Sequence, residues 1–152
     1  MLKALVVDDS GVVRKSLVRR LREIGFDADS AVHGHEAFLR AIRSAYDLVL
    51  MDIDMPMMNG LDASQCIRAA ESFLDRHTPI VGMSAGGYTL DECLQSGMDY
   101  FVKKPFTTEE LRRIASRFCQ GYRPLPSHAE EGTVKMLIAR DHCWDYGIAD
   151  GA

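Results

Sequence analysis

Five short apolar runs alternate along the chain with five amphipathic stretches whose apolar residues recur at helical spacing. Two of the runs, residues 3–7 and 48–51, are apolar almost throughout, which is typical of strands covered on both faces of a sheet. Strands that alternate with helices pair in parallel, because each helix returns the chain to the same edge of the sheet. The alternation therefore predicts a doubly wound α/β fold with five strands in one parallel sheet.

The spacing of apolar residues also sets the expected boundaries of these elements. The strands are predicted at residues 3–7, 26–32, 48–51, 80–83 and 100–103. The third helix is predicted to carry its apolar face from Ala63 through Ile67 to Leu74. The fifth helix is expected to begin at a capping box, in which Thr107 and Glu110 satisfy each other's backbone N–H groups.

Length, charge and cysteine content restrict the class of protein. In a chain of 152 residues, we expect one domain over residues 1–121 and a tail over residues 122–152 that is not an independent domain. The 18 basic and 22 acidic residues give a net charge of -4, which does not favour nucleic acid as a partner. No apolar run is long enough to span a membrane. Four cysteines without a CxxC pair are typical of a reduced, cytoplasmic protein.

Polar residues follow the predicted strands at the points where ligands bind in open α/β sheets. Asp8 and Asp9 follow the first strand, Asp52 ends the third, Ser84 ends the fourth and Lys104 follows the fifth. Each residue alone has an ordinary structural explanation as a helix cap or a turn. Together they bring three carboxylates to one edge of the sheet, where like charges repel unless a cation compensates them.

This combination of side chains favours phosphoryl chemistry. Carboxylate oxygens are ligands that Mg²⁺ prefers, and Mn²⁺ is also possible. Asp52 lies at the centre and is the expected carboxylate nucleophile. Lys104 and the metal would hold a transferring phosphoryl group, and the hydroxyl of Ser84 would donate to one of its oxygens.

Four sequence blocks then resemble a known family. They are LVVDDS (residues 5–10), LMDIDMPMMNG (50–60), MSA (83–85) and FVKKPF (101–106), which together are similar to the response-regulator receiver domain. The resemblance implies a flavodoxin-like (βα)5 fold with strand order 2-1-3-4-5. It also implies a domain that accepts a phosphoryl group from a histidine kinase or a histidine phosphotransfer protein, and that catalyses only its own phosphorylation and dephosphorylation.

The resemblance assigns roles by position. Asp52 is the expected phosphoacceptor, and Asp8, Asp9, Asp52 and the backbone carbonyl of Asp54 are the expected metal ligands. Ser84 and Phe101 are the expected switch residues, with Phe101 in place of the tyrosine found in chemotaxis-type relatives. We expect a downstream protein to bind the face of the fourth helix, fifth strand and fifth helix.

Residues that surround the expected phosphorylation site are candidates for docking a partner. Met55 and Met57 belong to the loop beside the site, and Pro105 follows the lysine. Methionine side chains adapt to varied surfaces, which suits a docking role on an exposed loop. We therefore expect Met55, Met57 and Pro105 to dock a protein partner.

Two alternatives compete with the receiver interpretation. A haloacid-dehalogenase-like phosphatase would use Asp52 as nucleophile and Asp54 as general acid, although its metal-binding acidic pair should follow the nucleophile rather than precede it. A scaffold that cannot be phosphorylated is disfavoured, because every required side chain is present. The carboxylate of Asp54, two residues after the phosphoacceptor, is expected to border the phosphate and to tune the lifetime of the adduct.

Overall fold

The apolar strands predicted from the sequence form a single parallel sheet. In the computed structural model, which describes residues 1–123, the strands lie side by side in the order β2-β1-β3-β4-β5. Their bounds are β1 (Leu2–Val7), β2 (Phe26–Ala31), β3 (Leu48–Asp52), β4 (Ile80–Ser84) and β5 (Tyr100–Lys103). All four strand pairings are parallel, which confirms the predicted fold class and strand order.

Helices connect the strands and cover both faces of the sheet. They are α1 (Gly11–Glu23), α2 (Gly34–Arg43), α3 (Gly60–Glu71), α4 (Leu90–Gln95) and α5 (Thr108–Phe118). The predicted capping box is present, because Thr107 Oγ1 accepts from the N–H of Glu110 and the Glu110 carboxylate accepts from the N–H of Thr107. No helix within residues 1–123 is long and apolar enough to cross a membrane.

Alternate residues of the strands enter two separate cores. Val6 and Leu50 pack on the face covered by α1 and α5, whereas Leu5 and Met51 pack on the face covered by α2, α3 and α4. These side chains are fully buried, as a parallel sheet covered on both faces requires. The two cores hold the strands rigidly, and so fix the positions at which the strands end.

Two predicted boundaries differ from the structure. Helix α3 ends at Glu71, and Leu74 lies beyond it with 44% of its surface exposed, because the chain leaves the helix through a turn in which Leu74 N donates to Glu71 O. Tyr122, which the predicted boundary assigns to the tail, is buried and stacks on Phe26 with ring centroids 5.5 Å apart. The packing of the core thus extends to Tyr122, and residues 124–152 of the predicted tail lie outside the described residues.

Gly60 allows helix α3 to begin directly beneath the end of β3. Its N–H donates to the carbonyl oxygen of Ile53 at 3.0 Å. A Cβ atom at this position would lie 2.3 Å from the carbonyl oxygen of Asp52, a distance that no real Cβ contact tolerates. The backbone around Asp52 is therefore fixed by a contact that only glycine permits.

We predict that Gly60→Ala destabilises the fold by about 1–3 kcal/mol, because the added Cβ displaces the backbone of β3. Gly11→Ala is the matched control, since Gly11 is also the first residue of a helix but its Cβ would meet its nearest atom at 3.7 Å. Urea unfolding of both variants provides the comparison. Equal stability of the two variants would contradict this account of Gly60.

Candidate functional site

The carboxyl ends of β1, β3, β4 and β5 bring the predicted residues to one edge of the sheet. Asp8 follows β1, Asp52 is the last residue of β3, Ser84 is the last residue of β4, and Lys104 follows β5. Single carboxylate oxygens of Asp8, Asp9 and Asp52 lie within 4.8 Å of one another. Asp8 and Asp52 are buried, whereas Asp9 is exposed. The cluster thus has a buried side within the fold and a side that faces solvent.

Lys104 is the cation that reaches this cluster in the structure. Its Nζ lies 2.7 Å from Asp8 Oδ2 and 3.1 Å from Asp52 Oδ1. Burial alone would lower the pKa of Lys104, but the hydrogen bonds to Asp8 and Asp52 outweigh it and raise that pKa. The ammonium therefore stays charged, and it pairs with both buried carboxylates of the cluster.

Two hydrogen bonds position Asp8, one to its carboxylate and one to its backbone carbonyl. Its Oδ1 accepts from the N–H of Ser10 at 2.8 Å, and its carbonyl oxygen accepts from Arg14 Nη1 at 2.7 Å. Arg14 could not be identified from the sequence, because it is one of several basic residues on α1 and belongs to no motif of the site. These bonds restrain the backbone and the carboxylate of Asp8 at its place in the cluster.

The charges at the cluster remain unbalanced. Burial raises the pKa of Asp52 to about 6; the hydrogen bond from Lys104 opposes this rise, and the carboxylate of Asp8 adds to it. A single lysine thus leaves three carboxylates only partly neutralised. Hard oxygen donors this close to one another fit a divalent cation such as Mg²⁺, which binds through a few carboxylates and keeps its other positions for water or phosphate oxygens.

The raised pKa of Asp52 predicts a pH-dependent stability for the metal-free chain. The pKa of about 6 in the fold exceeds the ordinary value of 3.8, so between about pH 4 and pH 6 the folded chain binds more protons than the unfolded chain. The contribution of Asp52 to the free energy of unfolding therefore falls as pH rises through this window, by on the order of 1–3 kcal/mol.

We expect Asp52→Asn to be more stable than wild type at pH 7 in the presence of a chelator, and this advantage to shrink at pH 4. The reason is that the amide stays neutral at both pH values, whereas the wild-type carboxylate ionises. Urea unfolding of both proteins at the two pH values measures the difference. A wild-type chain at least as stable as Asp52→Asn at pH 7 would show that the ionised Asp52 carboxylate does not destabilise the metal-free fold.

Ser84 and Asp54 form a second group of contacts beside the cluster. The hydroxyl of the buried Ser84 donates to Asp54 Oδ2 at 2.6 Å, and the hydroxyl of Tyr88 donates to Asp54 Oδ1 at 3.0 Å. The Asp54 side chain, expected from the sequence only to border the phosphate, also accepts a hydrogen bond from Ser84. Tyr88 was missed, because a tyrosine in the loop after β4 carries no motif that marks it.

The residues expected to dock a partner separate into exposed and buried ones. Met57 is 94% exposed and Pro105 is also exposed. Met55 is only 7% exposed and packs in the core beneath α2, α3 and α4, so the prediction that it docks a partner is corrected. Phe101 is half-buried and lies opposite Gly82 in the pairing of β5 with β4.

The doubly wound parallel sheet brings an acidic cluster, a buried hydroxyl and a lysine to its carboxyl edge, where α/β proteins of this class bind their ligands. Residues 4–116 match the family model described as "Response regulator receiver domain". The chain belongs to this family.

Individual relatives support the same conclusion. The chain is 34% identical over 122 residues to "Hybrid signal transduction histidine kinase F" of Dictyostelium discoideum, covering 78% of this chain and 11% of that protein. It is 35% identical over 111 residues to "Transcriptional regulatory protein PrrA" of Mycobacterium leprae, covering 72% of this chain and 46% of that protein. The chain thus spans a tenth to a half of the length of these relatives.

Solved structures match the fold over nearly their whole length. Chemotaxis protein CheY4 of Vibrio cholerae superposes with a TM-score of 0.71 at 28% identity, covering 78% of this chain and 98% of that one. The receiver domain of sensor histidine kinase PA1611 from Pseudomonas aeruginosa, described with a magnesium ion in its active-site cleft, gives 0.69 at 34% identity, covering 77% and 96%. These matches do not support the phosphatase alternative.

Proposed function

We propose that this chain accepts a phosphoryl group on Asp52 from a histidine kinase or a histidine phosphotransfer protein. The observation that carries the proposal is the position of Asp52, which lies within 4.8 Å of Asp8 and Asp9 and 3.1 Å from Lys104. At pH 7 its carboxylate is ionised, since its pKa is about 6, and an ionised oxygen is the form that attacks phosphorus. The P–N bond of the donor breaks, an O–P bond forms, and the donor nitrogen recovers its electron pair.

The same residues fit a divalent cation. Asp8, Asp9, Asp52 and the backbone carbonyl of Asp54 would hold Mg²⁺ or Mn²⁺, whose charge would offset the carboxylates and the oxygens of the phosphoryl group. The magnesium described for the Pseudomonas aeruginosa receiver supports this assignment. We do not expect activity on other substrates, so the chain acts as a switch whose chemistry is confined to its own aspartate.

Lys104 and Ser84 act once the phosphoryl group is attached. Lys104 reaches Asp52 in the structure, and its ammonium would pair with a phosphoryl oxygen. Ser84 would donate its hydroxyl to another oxygen, and the space that it leaves would be filled by the half-buried Phe101. This change would shift the population of two packings of α4, β5 and α5.

Two surfaces would serve the partners of this switch. The phosphoryl donor would dock beside the site, where Met57 and Pro105 are exposed. A downstream protein would bind the face of α4, β5 and α5, where the apolar side chains of Leu90 and Leu94 are 42% and 45% exposed. We place this exchange in the cytoplasm, in agreement with the free thiols of Cys66, Cys93 and Cys119.

We predict that acetyl phosphate labels the wild-type chain only when a divalent cation is present, because the uncompensated carboxylates repel the incoming phosphoryl group. Asp52→Asn should abolish the label. Asp27→Asn is the control, since Asp27 is an exposed aspartate on β2. Mass spectrometry of the intact proteins measures the adduct; equal labelling of Asp52→Asn would sink the assignment, and sustained release of phosphate would favour the phosphatase alternative.

We further propose that the domain ends just after Tyr122 and that the tail is dispensable for phosphorylation. A chain ending at Arg123 should accept the phosphoryl group at the wild-type rate. A chain ending at Gly121 loses the stack of Tyr122 on Phe26 and should be destabilised by about 2–4 kcal/mol. Thermal unfolding and acetyl phosphate labelling of both chains test the boundary, and slow labelling of the longer chain would show that the tail takes part.

A further inference from the structure

The hydroxyl of Ser84 is fully engaged before any phosphoryl group arrives. Ser84 is buried, with none of its surface exposed, and its single proton is directed to Asp54 Oδ2 at 2.6 Å. The carbonyl oxygen of Gly86 lies farther away, at 3.0 Å, and the N–H of Gly86 donates to the Ser84 oxygen at 3.2 Å. Because a hydroxyl has one proton, Ser84 must release Asp54 before it can donate to a phosphoryl oxygen.

The Asp54 carboxylate is itself held by Tyr88. Its two oxygens accept from different hydroxyls, Oδ2 from Ser84 and Oδ1 from Tyr88 at 3.0 Å. Asp54 follows β3 and Tyr88 precedes α4, so this carboxylate ties the loop after β3 to the segment that leads into α4.

The loop between Ser84 and Tyr88 has a backbone shape that suits this contact. Gly86 and Gly87 have backbone φ values of 154° and 89°, which residues other than glycine rarely adopt. No atom lies within 4 Å of a Cβ built at either position, so the glycines are required by the backbone shape and not by crowding. This shape allows the Tyr88 hydroxyl to reach a carboxylate that belongs to another loop.

We propose that Asp54 and Tyr88 form a latch that holds the hydroxyl of Ser84 in the resting state and competes with the phosphoryl group for it. The inference rests on the proposed phosphorylation of Asp52. It adds that the hydrogen bond from Ser84 to Asp54 must break before Ser84 can bind the phosphoryl group. A hydrogen bond to a charged acceptor is stronger than one between neutral groups, so the latch biases the chain toward the resting packing. Asp54 and Tyr88 are positioning residues, since they act through Ser84.

Two properties of Asp54 could each weaken the binding of an anion: its negative charge and its hydrogen bond to Ser84. Their effects on binding must therefore be measured separately. Asp54→Asn removes the charge and keeps an oxygen that can accept from Ser84, whereas Asp54→Ala removes both. The difference between these two variants therefore reports the hydrogen bond alone. Repeating the pair in a Ser84→Ala background removes the group that the latch is meant to hold.

The experiment measures the affinity of the full chain for beryllofluoride, an analogue of the phosphoryl group, at fixed Mg²⁺ by NMR titration. We expect Asp54→Ala to bind about threefold to tenfold more tightly than Asp54→Asn when Ser84 is present, and equally when Ser84→Ala accompanies both. Tyr88→Phe should tighten binding about twofold to threefold, because the carboxylate loses the donor that holds it. Tyr46→Phe is the matched control, since it removes a phenol hydrogen bond to Asp29 at the far side of the fold.

A second measurement needs no phosphoryl analogue. The amide signal of Gly86, whose N–H donates to the Ser84 hydroxyl, should shift in Tyr88→Phe and Asp54→Ala but not in Tyr46→Phe. A wild-type chain that fails to bind beryllofluoride would contradict the proposed function itself. Wild-type binding with the same difference between Asp54→Ala and Asp54→Asn in both Ser84 backgrounds, or an unmoved Gly86 signal, would overturn the latch alone.

Discussion

The repulsion between carboxylates at one edge of the sheet is the constraint on which the rest of this structure depends. Asp8, Asp9 and Asp52 place oxygens within 4.8 Å of one another, and in the described residues Lys104 is the cation that contacts this cluster. Burial, with a smaller contribution from the carboxylate of Asp8, raises the pKa of Asp52 and so raises the energy of its ionised form in the metal-free fold. The same arrangement of hard oxygen donors is one that could hold a divalent cation, on which the proposed phosphoryl transfer depends. Function and local destabilisation thus have one physical cause.

The fold holds these charges together because packing and hydrogen bonds restrain the backbone segments that carry them. Two cores fix the strands, the absence of a side chain at Gly60 brings α3 against the end of β3, and Arg14 and Ser10 bind the backbone and carboxylate around Asp8. Ser84, at the end of the neighbouring strand β4, is restrained in a similar way. Its hydroxyl is buried and already paired with Asp54, so under the proposed mechanism phosphorylation would change this hydrogen bond and, through Asp54, the loop that leads into α4.

The sequence predicts the part of the site that parallel strands determine. Residues at the ends of β1, β3, β4 and β5 must meet at one edge, so the convergence of Asp8, Asp52, Ser84 and Lys104 follows from the order of elements alone. Contacts that depend on the path of a loop do not follow. The pairing of Asp54 with Tyr88 arises from the backbone of Gly86 and Gly87, and the burial of Met55 and Tyr122 arises from tertiary packing that has no period in the sequence.

The central claim, that the carboxylates are left uncompensated for a divalent cation to bind, is tested most directly by titrating Mg²⁺ into the full chain at pH 7 without a phosphoryl donor. Isothermal titration calorimetry should find one ion per wild-type chain. Asp9→Asn should weaken binding by about tenfold or more, because Asp9 is exposed and its loss removes a charged ligand without disturbing the core. A wild-type chain that binds no Mg²⁺, or binds it as tightly after Asp9→Asn, would contradict the account.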